Sequence, residues 1–312
     1  DPAAVADAVR RVGCGDGDLL VFLPGAGEIC AVGERLEAWA RGAGVDLRPL
    51  HGDLPLSAQA EAVQPGPRPK VILATNVAET SVTVEGVTAV VDSGLVRVAT
   101  WSPWSGLPGL EVRRISRSSA AQRAGRAGRT APGRCLRLYS EADLRTREEH
   151  GAPEIHRADL AGATLLLLGL GVGWDGLRWF DEPPSAARDA ARGLLAALGA
   201  LDGEGGLSAV GREMLRLPLH PRASRVLIEA RRAGMERDGC LLAGLLGERE
   251  VRQGRRGLEL RPAETEGDSD LLDALDRLRD LPGRVTDPEL RRRDLEPAAA
   301  RNVLRVARQL AR

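Results

Sequence analysis

The sequence predicts an α/β lobe built on a parallel sheet, followed by two smaller and mostly helical regions. Three observations carry this expectation. Over residues 1–150, short apolar runs alternate with segments of helical periodicity, the pattern of a parallel sheet covered on both faces. Past about residue 150 the strand-like runs nearly cease and Leu-rich helical patterns take over. The length of 312 residues suits two or three domains.

Residues 1–12 read as a helix, with Asp1-Pro2 at its start and Val5, Val9 and Val12 on one face. Leu19–Leu23 is a short buried strand. Ala26–Ala40 has helical periodicity and is expected to end at Gly42. Val45–Leu50 is a second strand, and Ser57 is placed to cap a helix over Ala58–Val63. Val71–Thr75 and Val87–Val91 are further strands, with Asp92 just past the second. Leu95–Trp101 and Leu110–Ile115 flank a turn and predict a β-hairpin. Arg134–Tyr139 is the last strand. Beyond it, helices are expected at Ala158–Leu170 and Ser185–Leu198, then a turn at 203–206 and a strand at Leu207–Val210. Helix, helix, short hairpin is the outline of a winged-helix domain over 151–212. From 213 to 312 only helical patterns appear, at 222–233, 238–247, 268–280 and 297–311, around a polar Gly-rich loop at 253–268.

Net charge is zero, which argues against a globally basic nucleic-acid binder while leaving local patches open. Lys70 is the only Lys, so Arg abundance by itself says little. The four Cys are scattered with no metal-binding or disulfide spacing. No signal peptide is visible. The most apolar run, around Leu160–Val172, is too short to span a bilayer. A reducing, cytoplasmic setting with no membrane partner is therefore expected.

The run from Ser116 to Arg129 carries the most chemistry. Residues 112–137 hold eight Arg and no Asp or Glu. Placed on a helix, Gln122, Arg126 and Arg129 fall within roughly 60° of one another, while Arg123 points elsewhere. Each Gly inside a helix costs about 1 kcal/mol against Ala, so Gly125 and Gly128 imply close approach to a partner or placement of arginines on a phosphate. Arg suits phosphate because its planar fork donates bidentately and stays charged.

In the second constellation, Val71–Thr83, a buried strand ends and short hydroxyl and amide side chains follow at once. Strand ends are where α/β sheets bind ligands, and hydroxyls and amides suit phosphate oxygens. Trp101 and Trp104 of the hairpin fit either a stacking platform for single-stranded nucleic acid or a small cluster under the hairpin. Trp39, Trp174 and Trp179 read as core or interdomain packing.

These segments together resemble the C-terminal half of the DEAH-box helicases of superfamily 2, in family order. Gln122–Arg129 resembles motif VI, Val71–Thr83 motif V and Leu20–Ile29 motif IV. Leu50–Pro55 matches the segment between motifs IV and V. Trp179–Pro184 with Leu195–Asp202 looks like the family's winged helix, and Leu215–Arg222 like the start of its helical ratchet domain. The resemblance is sharpest over 71–139 and weak after 247. It implies a RecA-like second lobe over 1–150, with motif V and neighbouring residues on the RNA backbone. The residues so implied are Gly25, Gly52, Thr75, Asn76, Thr80 and Ser81. Pro24 stands where many relatives carry Thr or Ser, so only the Gly25 amide carries over. Gln122, Arg126 and Arg129 are implied as catalytic residues on the γ-phosphate of ATP, with Asp92 and Gly94 at the nucleotide and Asp92 on its ribose. Val63 and Pro65 stand where relatives often place an aromatic on the adenine, which implies weak nucleobase selectivity.

No GxxxxGK[ST] loop and no Asp-Glu-x-His occurs in the sequence. The resemblance assigns both, with Mg²⁺, to a first RecA-like lobe expected upstream of residue 1. The expected function is the C-terminal part of an ATP-dependent RNA helicase, inactive in hydrolysis by itself. A non-catalytic nucleic-acid- or partner-binding module and a DNA helicase of the same superfamily remain open.

Overall fold

The computed structural model of the chain describes residues 1–15, 17–80, 82–101, 108–128, 132–248, 251, 269–281 and 285–311. It divides into two compact units, Asp1–Ala158 and Asp159–Arg312.

Strands that are buried at every position are covered on both faces, and they form the middle of the first unit's sheet. β1 (Asp18–Phe22) and β3 (Lys70–Ala74) are buried throughout. β2 (Asp46–Leu50) lies outside β3, and β4 (Val87–Asp92) and β7 (Arg134–Arg137) lie beyond β1. All pairings are parallel, in the order β2-β3-β1-β4-β7. Alternate side chains go to opposite faces. Leu19, Val21, Val71 and Val91 pack under α1 (Pro2–Val12) and α2 (Ala26–Ala43). Leu20, Phe22, Ile72 and Val90 meet Ala62 of α3 (Leu56–Val63), Ala78 of α4 (Val77–Thr80) and Ala127. The register sets Leu50, Ala74, Phe22, Asp92 and Arg137 in one row across the sheet. The segments that follow this row therefore emerge along one edge.

β5 (Leu95–Trp101) and β6 (Pro108–Arg114) form the predicted antiparallel hairpin as a separate two-stranded sheet. Trp101 is half-buried at its end, and Trp104 lies outside the described residues. α5 (Arg117–Ala124) and α6 (Glu141–Arg145) complete the regular elements of this unit.

Several local expectations change. α2 runs through Gly42 and stops at Gly44, whose φ of 66° is the left-handed cap that Gly adopts without steric cost. Ser57 lies inside α3, whose N-cap is Pro55, so Ser57 does not cap it. The four-residue α4 was not expected. The helix predicted across the Arg-rich run ends at Ala124, and 125–128 form a turn closed by Arg126 N–H to Arg123 O at 3.1 Å.

In the second unit, α7 (Ala161–Gly169), α8 (Ser185–Ala197), α9 (Ala209–Leu215) and α10 (Pro221–Arg232) share a core around Leu165, Leu195, Met214 and Ile228. The strand expected at Leu207–Val210 is reduced to one antiparallel bridge between Leu201 and Leu207. Ser208 ends it by capping α9, its Oγ accepting from Gly211 N–H at 3.0 Å. The domain boundary expected at 212/213 falls inside α9. Trp174 is buried and Trp179 half-buried, their rings 5.1 Å apart, as packing residues.

α11 (Glu236–Leu246), α12 (Asp270–Arg279), α13 (Asp287–Arg292) and α14 (Pro297–Leu310) build a second core on Leu227, Leu241, Leu278 and Val303. α13 was not expected; a capping box between Thr286 and Glu289 starts it. The predicted loop at 253–268 lies outside the described residues. Among the described residues, no helix is long and apolar enough to cross a membrane.

Candidate nucleotide and nucleic-acid site

The sheet row ending at Leu50, Ala74, Phe22 and Asp92 decides where the sequence-predicted residues come together. The segments just beyond it hold Gly52, Thr75-Asn76, Gly25 and Gly94, at the carboxyl ends of four neighbouring strands. Parallel strands lie about 4.8 Å apart, so four segments distant in sequence share one edge. Gly52, Asn76 and Thr80 are exposed there and Thr75 is half-buried. Ser81 lies outside the described residues.

Gly25 differs from Gly52 and Asn76. It is buried, and a Cβ built on it would lie 2.9 Å from Arg97 Nη1. Arg97 also donates to Glu28 Oε1 at 3.2 Å. That ion pair closes against Gly25 in the structure.

The second group is the finger segment. Every N–H of the first turn of α5 has a partner, which fixes the helix. Arg117 and Ser118 donate to Glu148 O and Glu149 O, Ser119 to Ser116 Oγ, and Ala120 to Ser116 O. Gln122 is exposed on this helix and Arg126 is half-buried in the turn after it. The Arg126 guanidinium donates to Glu79 O and to Val82 O, the latter at 3.4 Å. Arg129 lies outside the described residues. Among the described residues, Gly125 and Gly128 do not meet a crowded neighbour. A Cβ on Gly128 would meet nothing within 4 Å, and one on Gly125 would lie 3.4 Å from the nearest atoms. The tight contact is at Gly133, where a Cβ would fall 1.9 Å from Ala127 O.

The two residues expected at the nucleotide besides Gln122, Arg126 and Arg129 are both buried in this structure. Asp92, expected on a ribose, has no exposed surface. Its Oδ1 accepts from Gly94 N–H and Arg123 Nη1, each at 2.9 Å, and its Oδ2 accepts from Tyr139 OH at 2.8 Å. Gly94 is buried too. Its φ of 73° and the Tyr139 ring, 2.4 Å from where a Cβ would sit, make it a packing glycine. Burial, then the Asp92 charge, pushes the Tyr139 phenol well above its ordinary pKa, so it stays a donor. The same two causes push the Cys135 thiol up to about 11.

Arg123 is the residue that sequence reasoning missed. It is fully buried beneath this edge. Nε donates to Glu79 Oε2 at 2.9 Å, and Nη1 to Asp92 and to Leu95 O at 3.1 Å. The guanidinium also lies 4.7 Å from the centre of the Phe22 ring. Arg147 acts similarly, bonded to Gly94 O and Ile115 O and lying 3.9 Å over Tyr139. The helical projection turns Arg123 away from Gln122. Nothing in the sequence names its acceptors, 44 and 31 residues away.

Chemically, the edge combines exposed hydroxyl and amide groups with Gln122 and a guanidinium, a set of donors suited to phosphate oxygens. Among the described residues, no group of three or more His, Cys, Asp or Glu stands ready to hold a metal.

The model of the helicase conserved C-terminal domain matches residues 15–131. The chain is similar to the ATP-dependent RNA helicase HrpB of Escherichia coli (strain K12), with 40% identity over 248 residues, 78% of this chain and 30% of that protein. It is also similar to the pre-mRNA-splicing factor ATP-dependent RNA helicase prp22 of Schizosaccharomyces pombe, with 36% identity over 242 residues, 74% of this chain and 21% of that protein. A crystal structure of the E. coli DEAH/RHA helicase HrpB matches with a TM-score of 0.75 and 36% identity, covering 98% of this chain and 35% of the other. The chain spans less than a third of the length of these curated relatives.

Proposed function

Because the chain belongs to the DEAH-box helicases of the HrpB type, we propose that it supplies one half of an ATP-hydrolysing site and a path for single-stranded RNA. The observation that carries this reading is the seating of Arg126. Its guanidinium is bonded to the carbonyls of Glu79 and Val82, on the loop that also carries Asn76 and Thr80. A candidate phosphate-binding cation and candidate backbone contacts thus share one small structural unit.

In the proposed mechanism Thr75, Asn76, Thr80 and Ser81, with Gly52, hold the RNA backbone at the sheet edge. The Gly25 amide joins them once the Arg97–Glu28 pair swings off it. Gln122 orients the attacking water, and Arg126 and Arg129 neutralise charge on the transferring phosphoryl group. A RecA-like lobe upstream would bring the phosphate-cradling loop and Mg²⁺. The winged-helix and ratchet-like roles of the second unit belong to the same proposal, as does a cytoplasmic setting. Backbone contacts imply salt-sensitive, largely sequence-independent binding. A second reading, a binding module without catalysis, is favoured for the chain alone by the absence of GxxxxGK[ST] from its sequence. Backbone recognition leaves DNA as a further substrate to be tried.

The test is nucleic-acid-stimulated ATPase activity, with the chain alone and joined to its upstream lobe. We expect hydrolysis only in the joined protein, lost about 10³–10⁵-fold in the R126A/R129A double variant while folding is kept. Salt-sensitive RNA binding without any hydrolysis in the joined protein would leave the binding module.

A further inference from the structure

One residue on the 75–83 loop is gripped by three successive turns of the finger segment. Glu79 Oε1 accepts from Ser119 Oγ at 2.6 Å, and Oε2 from Arg123 Nε at 2.9 Å. The Glu79 carbonyl accepts from Arg126. Positions 119, 123 and 126 are one stripe of α5 and the turn after it, spaced i, i+4, i+7. α4 itself is a single turn that buries one side chain, Ala78. Specific attachment of α4 to α5 therefore runs chiefly through Glu79.

The other end of this linkage is anchored. Arg123 is held by Asp92 and Leu95 O, both at the end of the sheet. Glu79 is 15% exposed and Arg123 is not exposed at all, so solvent and salt screen their attraction little. A shift of α4 must either drag α5 with it or break a buried ion pair.

We propose that Glu79 is a positioning residue that ties the seating of single-stranded RNA on the 75–83 loop to the placement of Gln122 and Arg126. The proposal rests on the functional reading above. It adds the element by which the two ligands would sense each other. RNA seated against Asn76 and Thr80 displaces α4, and Glu79 passes the displacement to α5 through Ser119 and Arg123. Its carbonyl moves with it, changing the acceptor offered to Arg126. Reciprocity then requires nucleotide to alter RNA affinity by the same factor.

The test uses the full-length protein. Affinity for a single-stranded oligouridylate is measured with and without a non-hydrolysable ATP analogue. A ratio of about 5–150-fold is expected in the unmodified protein. In E79A the ratio falls to near one while each ligand alone still binds. E79Q keeps an acceptor for Arg123 Nε and an amide beside Ser119 Oγ, so an intermediate ratio is expected, and it carries the test if E79A does not fold. An unchanged ratio in a folded variant overturns the proposal. Absence of RNA or nucleotide binding in the unmodified protein instead sinks the functional reading. The role of Glu79 is then decided by hydrogen exchange of the amides of 117–127 in the free protein. Faster exchange in the variant supports a positioning role, and unchanged exchange overturns it.

Discussion

The first unit buries an ion pair at each end of its parallel sheet, and the two are built differently. At the amino end, Lys70 Nζ lies 3.4 Å from Asp18 Oδ2 and also donates to Ala62 O and Gln64 O. Asp18 Oδ1 accepts the Lys70 N–H at 2.8 Å. Lys70 and Asp18 belong to strands already paired through Leu19↔Val71, and α3 and the residue after it supply the two carbonyls. At the carboxyl end, Arg123 bridges Asp92 of the sheet to Glu79 of a one-turn helix, and its Nη2 has no partner among the described residues. The first pair closes on a rigid scaffold. The second joins the scaffold to the segments that carry the candidate chemistry. Burial by itself therefore does not mark function; what the partners are attached to does.

The comparison breaks most sharply at Arg123. R123A leaves the fully buried Asp92 without its cation, and urea unfolding of the first unit is expected to lose about 3–5 kcal/mol. A loss below about 1 kcal/mol would mean that Tyr139 and Gly94 satisfy Asp92 unaided. The matching change at the other end is K70M, which keeps bulk and removes charge. Asp18 is 12% exposed and retains its backbone N–H partner, so a smaller loss of about 1–3 kcal/mol is expected. Equal losses would show the two ends to be equivalent.

A third pair, in the second unit, sets the exposed limit. Asp159 Oδ2 meets His220 Nε2 at 2.9 Å, with His220 41% exposed. Because His220 Nδ1 accepts the Arg222 N–H, its proton sits on Nε2 and points at Asp159. Burial raises the Asp159 pKa, but the His220 hydrogen bond, the Ala161 N–H and the charges of His220 and Arg222 together outweigh it and hold the carboxyl below its ordinary value. A depressed carboxyl pKa adds stability that is present above the unfolded value of about 3.9 and lost as pH falls through the folded one. D159N should cost about 1 kcal/mol at pH 7. Unfolding curves of the variant and the unmodified chain should converge below the folded pKa. A gap that persists in acid would assign the effect to packing.

Much of the first unit was legible because its signals are local. Short apolar runs alternating with helical segments point to interior strands, and the polar Thr75 and Asn76 directly after Ala74 mark a strand end. The order Gln122-Arg123-Ala124-Gly125-Arg126 carried a family resemblance that needed no coordinates. The misreadings have a common cause. The helix through 129 was extrapolated by period, whereas the chain turns at Gly125. The family resemblance places Asp92 and Gly94 at the nucleotide, whereas in the structure Tyr139 and Arg147 pack over them from later in the chain. The strand at Leu207–Val210 yielded to a Ser208 cap, a competition in which hydrophobicity has no vote.

The sequence by itself determined most element types of the first unit, the parallel lobe and the family, since these follow from periodicity, side-chain shape and short motifs along a continuous stretch. Only the tertiary structure decided which charged groups reach solvent. Arg123 and Arg126 are three residues apart with the same side chain, yet one is sealed between Phe22, Asp92 and Glu79 and the other is half-exposed beside the 75–83 loop. That difference arises from partners 31 to 47 residues away. Desolvation and hydrogen bonding act through space, and the chain alone does not state its neighbours.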